Sequence, residues 1–227
     1  RRVLTVGAGA VIPAFQTPAT MGDVVRGALA AVPGAQLIVV HEGSTDRTGE
    51  EGRGRGALVI THPRNRGKGA ALRAGITRAC SEGAETIVTL DADGQHPASE
   101  IPRLLQPIAA GTADLVLGAR ERNGTMPVSR RFTNWLSASL ATRIGGQPLR
   151  DAQTGFRAFT RAVAERVRSQ GERYEFEANF LLDALRAGYR VASIDVPTIY
   201  GAPSHFRAFE DTWRMARAFA RHMRLRD

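Results

Sequence analysis

Sulfur chemistry is the first thing this chain lacks. Cys80 is its only cysteine, so neither a disulfide framework nor a cysteine-ligated metal site is available, and a reducing, cytoplasmic setting is the default expectation. Long hydrophobic runs are missing too. No apolar stretch approaches the ~20 residues that a membrane-spanning helix needs, and the first residues show no signal-peptide pattern. Any meeting with a membrane is therefore expected to be peripheral, on its cytoplasmic face or through a partner. Lysine is nearly absent: the basic residues are almost all Arg, and Lys68 is the one exception. Acidic residues disappear between Arg122 and Arg150.

What remains is an ordinary folding composition with an unusual charge. Across 227 residues the chain is 43% apolar and 23% charged, which suits one large domain over 1–227 with a substantial core. Its formal net charge is +9 and its pI about 11.1, a balance that favours anionic partners such as phosphates or lipid headgroups. Nucleic acid would satisfy the same charge, but no recognition motif accompanies it, so no nucleic-acid partner is expected.

Apolar runs and helix-period stretches alternate along the chain: 10–15 then 21–31, 36–40, 57–61 then 69–81, 86–90 then 99–109, and 114–117. Strand followed by helix, repeated, predicts an α/β domain with a mostly parallel sheet flanked by helices, whose ligands bind beyond the carboxyl ends of the strands. Gly7-Ala8-Gly9-Ala10 is not a dinucleotide fingerprint. It lacks a third glycine and runs into Val11-Ile12-Pro13 instead of a helix. Two segments can form amphipathic helices with a basic side. In one, Phe132, Trp135, Leu136 and Leu140 accompany Arg130, Arg131 and Arg143. In the other, Phe206, Phe209, Trp213, Ala216, Ala220 and Met223 recur beside Arg214, Arg217, Arg221 and Arg224. Core packing with a solvated face and contact with a bilayer interface are both open for them.

The densest chemistry lies in Asp91-Ala92-Asp93-Gly94-Gln95-His96-Pro97, directly after Thr86-Ile87-Val88-Thr89-Leu90. Strand alternation would send Asp91 and Asp93 to one side and Ala92 to the other. Two carboxylates that close repel unless a cation lies between them, and hard oxygen donors suit Mg²⁺ or Mn²⁺. A plain Asp-Gly turn is the alternative.

Seven pieces, in this order, resemble the inverting family-2 glycosyltransferases of the GT-A fold, and most closely the dolichyl-phosphate or polyprenyl-phosphate mannose synthase branch. They are Val11-Ile12-Pro13-Ala14-Phe15, Glu42-Gly43-Ser44-Thr45-Asp46-Arg47-Thr48, Asn65 to Ala71, Asp91 to Pro97, Asp151-Ala152-Gln153-Thr154-Gly155-Phe156-Arg157, Tyr174-Glu175-Phe176-Glu177 and Ser204-His205-Phe206-Arg207. The resemblance implies a Rossmann-like catalytic domain that moves a hexose from a nucleotide sugar, GDP-mannose or UDP-glucose, to a polyprenyl phosphate with inversion. It implies that Asp91, Asp93 and Gln95 hold the Mg²⁺ or Mn²⁺ against the donor diphosphate. Pro13, Ala14, Phe15, Glu42, Lys68 and Ala92 would line the nucleotide sugar. Arg120, Arg131 and Arg207 align with arginines that grip donor or acceptor phosphate, and Asp151 and Gln153 would lie by the sugar or acceptor.

Two stretches depart from that pattern. The family usually shows Asn-Glu-Glu after the first strand, where this chain has Gln16-Thr17-Pro18, and Asp-Asp before Gly-Ser, where this chain has His41-Glu42. These departures motivate a different class of reading, a weakened relative that binds nucleotide as a scaffold.

Overall fold

The computed structural model describes residues 7–43, 46–120, 128–199 and 216–223, with the side chains of 128–132 outside that description. Seven strands form one sheet: β1 (Ala8–Ala14), β2 (Gln36–Glu42), β3 (Leu58–His62), β4 (Thr86–Thr89), β5 (Leu115–Arg120), β6 (Arg157–Thr160) and β7 (Val191–Val196). Their order is β3-β2-β1-β4-β6-β5-β7. Neighbours run parallel except β6, which is antiparallel to both β4 and β5. The carboxyl ends of β1, β2, β3, β4 and β5 therefore share one edge with the amino end of β6. Helices α1 (Pro18–Ala31), α2 (Thr48–Gly54), α3 (Lys68–Ser81), α4 (Ile101–Ala109), α5 (Val128–Gly145), α6 (Arg161–Arg166) and α7 (Glu175–Arg186) connect and cover the sheet.

Why these runs become strands is visible in how they divide between two cores. Val11, Ile38, Val40, Ile87, Leu115 and Leu117 are buried in one hydrophobic layer. Their immediate neighbours Ala10, Ile12, Leu37, Val39, Val88 and Val116 are buried in the other. Successive side chains of a strand point to opposite faces, so a strand covered on both sides must be apolar throughout. The continuous apolar runs of the sequence are that signature.

The first five strands and the helices between them follow the predicted alternation, and Gly9 lies inside β1, in line with the rejected dinucleotide fingerprint. Thr48–Gly54 had no predicted helix, and β6, α6, α7 and β7 lie beyond the stretches the alternation covered. The two amphipathic segments need correction in detail. On α5 the fully buried residues are small or polar, Asn134, Ser137, Ala138 and Ala141, and Leu140 of the predicted stripe packs with Ile144 against the core half-buried, while Trp135 is 52% and Leu136 is 42% exposed. In the helix over 216–223, Ala218, Phe219 and His222 are buried, whereas Ala216 and Met223, two members of the predicted apolar stripe, face solvent. The rotation has a polar cause. His222 Nε2 lies 2.9 Å from Asp183 Oδ1 on α7, and the Arg186 guanidinium donates to the His222 carbonyl. Among the described residues no helix is long and apolar enough to cross a membrane.

Candidate functional site

The site grows from the edge where the strands end. The β4 ladder stops at Thr89, and the Leu90 N–H still donates to the Val11 carbonyl at 3.1 Å. The carboxylate pair therefore sits in the loop just past the strand and is not a continuation of its alternation. Asp93 Oδ1 accepts the Gln95 N–H at 2.9 Å, and Gly94 has a φ of 71°, so the segment is an Asp-Gly turn as well as a candidate site. Thr20 Oγ1 on α1 donates to the Ala92 carbonyl at 2.6 Å, and Ala92 itself is buried.

Lys68, the first residue of α3, reaches this loop. Its Nζ lies 2.7 Å from Asp91 Oδ1 and 3.0 Å from Glu177 Oε2 on α7, with the Tyr174 ring centroid 5.5 Å away. Burial alone would lower the ammonium pKa, but the charges of Asp91 and Glu177 outweigh it and raise it above the ordinary lysine value. Burial pushes Asp91 up and Lys68 pulls it further down, below the usual carboxylate range. Asp93 goes the other way: burial, then the negative charge of Asp91, raises it. Burial also raises Glu177, whose second oxygen, Oε1, is buried without a hydrogen-bond partner. Three carboxylates thus share one ammonium, with the buried Arg157 guanidinium as a further positive charge acting on Asp91 and Glu177.

The backbone is cut to fit this contact. A Cβ on Gly155 would stand 2.5 Å from Asp91 Oδ2 and 2.8 Å from Lys68 Nζ, so only glycine allows so close an approach. Thr89 Oγ1 holds the Gly155 carbonyl at 2.8 Å. Arg157, 2% exposed at the start of β6, donates to the carbonyls of Thr154, Glu177 and Ala152 at 2.7, 2.6 and 3.3 Å. One guanidinium thereby ties the 151–156 loop to α7.

A second charged pair closes the other side. Arg120, at the end of β5, donates from Nε to Asp151 Oδ2 at 2.7 Å and from Nη2 to Oδ1 at 3.2 Å, and the Gln153 N–H donates to Oδ1 at 2.9 Å. Asp151 is fully buried; burial would raise its pKa, and Arg120 overcomes that and lowers it. Both carboxylate oxygens of Asp151 are thus engaged. Between the two pairs lies His96, buried and stacked on Phe156 at 5.4 Å between centroids. Burial lowers its pKa, which favours the neutral imidazole.

The nucleotide-side residues are arranged less openly than the sequence implied. Glu42 is 2% exposed. Its carboxylate contacts His62 Nδ1 and accepts the backbone N–H groups of Arg66 and Gly67 at 2.6 and 3.0 Å. It pins the loop that starts α3, where Gly67 has a φ of 95° that favours glycine. The N–H groups of Gly69 and Ala70 donate to the Glu172 carbonyl at 2.8 and 3.2 Å, so the amino end of α3 is capped from within the protein. His41, 8% exposed, has neither ring nitrogen hydrogen-bonded. Pro13 and Ala14 stand at the end of β1 in register with Val40 and His41 of β2, and Phe15 follows directly; all are half-buried apart from the buried Ala14. Beyond them Gln16 adopts a left-handed φ of 50°, and Pro18 opens α1, a position where its missing N–H costs nothing.

Of the predicted residues, the structure joins Asp91 to Lys68 and Arg120 to Asp151, and leaves Gln95 half-buried with its carbonyl accepting the Ile199 N–H at 2.8 Å. Ser44, Thr45, Arg207 and the Arg131 side chain lie outside the described residues. Glu177, Arg157 and Gly155 were not singled out in the sequence, although each falls inside a motif that was. Among the described residues no three His, Cys, Asp or Glu side chains converge as a ready metal cage. The donor set nonetheless fits Mg²⁺ or Mn²⁺: two carboxylates and a neighbouring amide are the incomplete oxygen shell that such ions complete with phosphate and water.

Residues 10–168 match the family described as Glycosyl transferase family 2. Among curated relatives, a UDP-N-acetylglucosamine–dolichyl-phosphate N-acetylglucosaminyltransferase of Methanococcus voltae is 31% identical over 63% of this chain and 59% of its own length. An undecaprenyl-phosphate mannosyltransferase of Micrococcus luteus is 31% identical over 73% of this chain and 72% of its own. Among solved structures, glucosyl-3-phosphoglycerate synthase of Mycobacterium tuberculosis, crystallised with Mn²⁺, UDP and glucosyl-3-phosphoglycerate, superposes with a TM-score of 0.80 over 100% of this chain and 84% of the other, at 22% identity.

Proposed function

Because the chain belongs to glycosyl transferase family 2 and has the GT-A architecture, we propose that this glycosyltransferase moves a hexose from a nucleoside diphosphate sugar to a polyprenyl phosphate, with GDP-mannose as the leading donor. The observation that carries the reading is the Asp91–Asp93 loop at the end of β4, where two neighbouring carboxylates stand past the strand and only Asp91 is ion-paired to Lys68. Both relatives described above are named for transfer to a polyprenyl-type phosphate. The one named for a UDP sugar keeps UDP-glucose as the alternative donor.

Asp91, Asp93 and Gln95 would hold Mg²⁺ or Mn²⁺, and the ion would supply charge stabilisation to the departing diphosphate. The protein's own groups account for the rest. Arg120 is a fork whose orientation Asp151 fixes, and a fixed guanidinium suits a phosphate in two-point contact. Asp151 is a positioning residue and not a base, since Arg120 and the Gln153 N–H engage both of its oxygens. No base is required. A lipid monophosphate, with a second pKa of about 6, is already largely ionised near neutral pH. Its oxygen attacks the anomeric carbon in line, the bond from that carbon to the diphosphate breaks, and the nucleoside diphosphate leaves with the electron pair. The configuration inverts. The protein lowers the barrier by alignment and by electrostatics. Arg131 and Arg207 are assigned to the phosphates on the family pattern. Trp135 and Leu136, exposed on α5, are the residues we assign to peripheral contact with the membrane that carries the acceptor.

The test is a screen of GDP-mannose, UDP-glucose and UDP-N-acetylglucosamine against a short-chain polyprenyl phosphate with Mn²⁺, the product being identified by mass spectrometry. Asp93→Ala should abolish transfer with its circular dichroism unchanged. Retained transfer by that variant would contradict the role given to the loop. Calorimetry of GDP and UDP with and without Mn²⁺ separates an enzyme from a scaffold, which would show no metal-dependent binding.

A further inference from the structure

We propose that Glu177 controls the cation affinity of the Asp91–Asp93 loop at one remove, by holding Lys68 partly away from Asp91; Glu177 is a positioning residue and Lys68 the exchangeable counter-charge. The inference rests on the assignment of Asp91 and Asp93 to the metal. Its basis is the geometry of a shared ammonium. Lys68 Nζ is divided almost evenly between Asp91 at 2.7 Å and Glu177 at 3.0 Å, in a space that Gly155 closes on one side and the Tyr174 ring faces on another.

The two carboxylates are not equivalent. Glu177 rides on α7, is 6% exposed, and has its own carbonyl gripped by Arg157 at 2.6 Å, so it is a fixed anchor. Asp91 sits on a loop past the end of β4 and is more exposed, its side chain at 26% against 8% for Glu177. When a cation draws on Asp91, Lys68 has a second carboxylate ready to keep it, and Glu177 has an oxygen, Oε1, with no other partner to lose. A lysine held by Asp91 alone would have to be stranded in a buried place for the same step, which costs far more than exchanging one partner for another. The shared ammonium therefore does two things. It neutralises the loop when no cation is present, and it releases Asp91 at small cost when one arrives.

Calorimetric titration of Mn²⁺, alone and with GDP or UDP, into the full chain and three variants tests this. Glu177→Gln leaves Lys68 to Asp91 and should weaken Mn²⁺ binding about tenfold, the scale on which contacting charges couple. Lys68→Met should tighten it by a similar factor and enlarge the rise in melting temperature that Mn²⁺ brings. The double variant is decisive. If Glu177 acts through Lys68, adding Glu177→Gln to Lys68→Met changes Mn²⁺ affinity by less than twofold. If Glu177 were only one more nearby negative charge, the two effects would add. Additive effects, effects of the same sign, or an unchanged Glu177→Gln each overturn the proposal. Should Lys68→Met not fold, Lys68→Gln takes its place in the same cycle, with the same outcomes for and against. Failure of the wild-type chain to bind Mn²⁺ with either nucleotide is a different result, and counts against the metal assignment itself.

Discussion

Removing the Arg120 guanidinium isolates a buried charge, and the size and pH dependence of the resulting loss can be worked out beforehand. In Arg120→Met, Asp151 keeps no exposure and loses the Nε and Nη2 contacts at 2.7 and 3.2 Å. Its remaining donors are the backbone N–H of Gln153 at 2.9 Å and that of residue 120 at 3.4 Å. Breaking a buried ion pair by deleting one partner costs about 3–5 kcal/mol. For a chain of this size that corresponds to a fall in melting temperature of about 6–20 °C. The sign of the pH response then reverses. In the wild type, the folded pKa of Asp151 lies below the ordinary value, because Arg120 outweighs burial. Its stabilisation is therefore present above about pH 4 and is lost as pH falls through the lowered folded pKa. Without the Arg120 guanidinium, burial is opposed only by the backbone N–H groups of residues 153 and 120, and we expect the folded pKa to rise above the unfolded one, so the stranded carboxyl is least harmful when protonated. The gap between variant and wild type should narrow as pH falls from 7 toward 4, by up to about 1.4 kcal/mol per unit. Urea unfolding at pH 7 and at pH 4.5 measures both quantities. A loss under about 1 kcal/mol at pH 7, or a gap that does not change with pH, would refute the argument.

Other perturbations read other parts of the design. Phe156→Ala removes a fully buried ring stacked on His96 and should cost about 3–5 kcal/mol in thermal or urea unfolding; a loss below about 1 kcal/mol would mean that the 151–156 loop is not packed as described. Gly155→Ala places a methyl where Asp91 and Lys68 now meet. Because the nearest atom is Asp91 Oδ2 itself, at 2.5 Å, the carboxylate is displaced and Mn²⁺-dependent nucleotide binding should fall by calorimetry while stability drops by only about 1–3 kcal/mol; unchanged binding would show that the placement of Asp91 against Gly155 is irrelevant to it. Replacing Phe132 and Trp135 by Ser should lower sedimentation with anionic liposomes, since Trp135 faces solvent. Equal sedimentation would remove the interfacial role.

The strands could be read from the sequence because burial on both faces leaves a mark that needs no partner to be seen. Leu37 to Val40 are apolar in sequence and all four are buried, two in each core. β6 carries no such mark. It has four residues, and it begins with Arg157, which is buried because its guanidinium reaches carbonyls of two other segments. Its insertion between β4 and β5 is a tertiary choice, and propensity over four residues cannot register it. The helix over 216–223 was legible as a helix but not in its orientation, since a polar bond from His222 to Asp183 sets which face turns inward.

The same division runs through the site. The strand-end position of Asp91 and the isolation of Lys68 as the one lysine could be seen in the residues themselves, whereas Arg120 and Asp151 were candidates only through the family resemblance. Spacing says nothing of pairing. Glu42 was expected at the nucleotide through the family resemblance, and in the fold its carboxylate also holds His62 and the loop that starts α3. Among the described residues, its neighbour His41 has both ring nitrogens without a protein partner. Glu177 could be seen only as part of Tyr174-Glu175-Phe176-Glu177, because what makes it matter is a shared ammonium contributed by a helix far earlier in the chain. A carboxylate's role depends on which cation reaches it, and that is decided by packing: β6 brings Gly155 against Asp91, and Arg157 holds α7 close enough for Glu177 to compete for Lys68. The element least visible in the sequence is thus the one that sets the charge balance of the site.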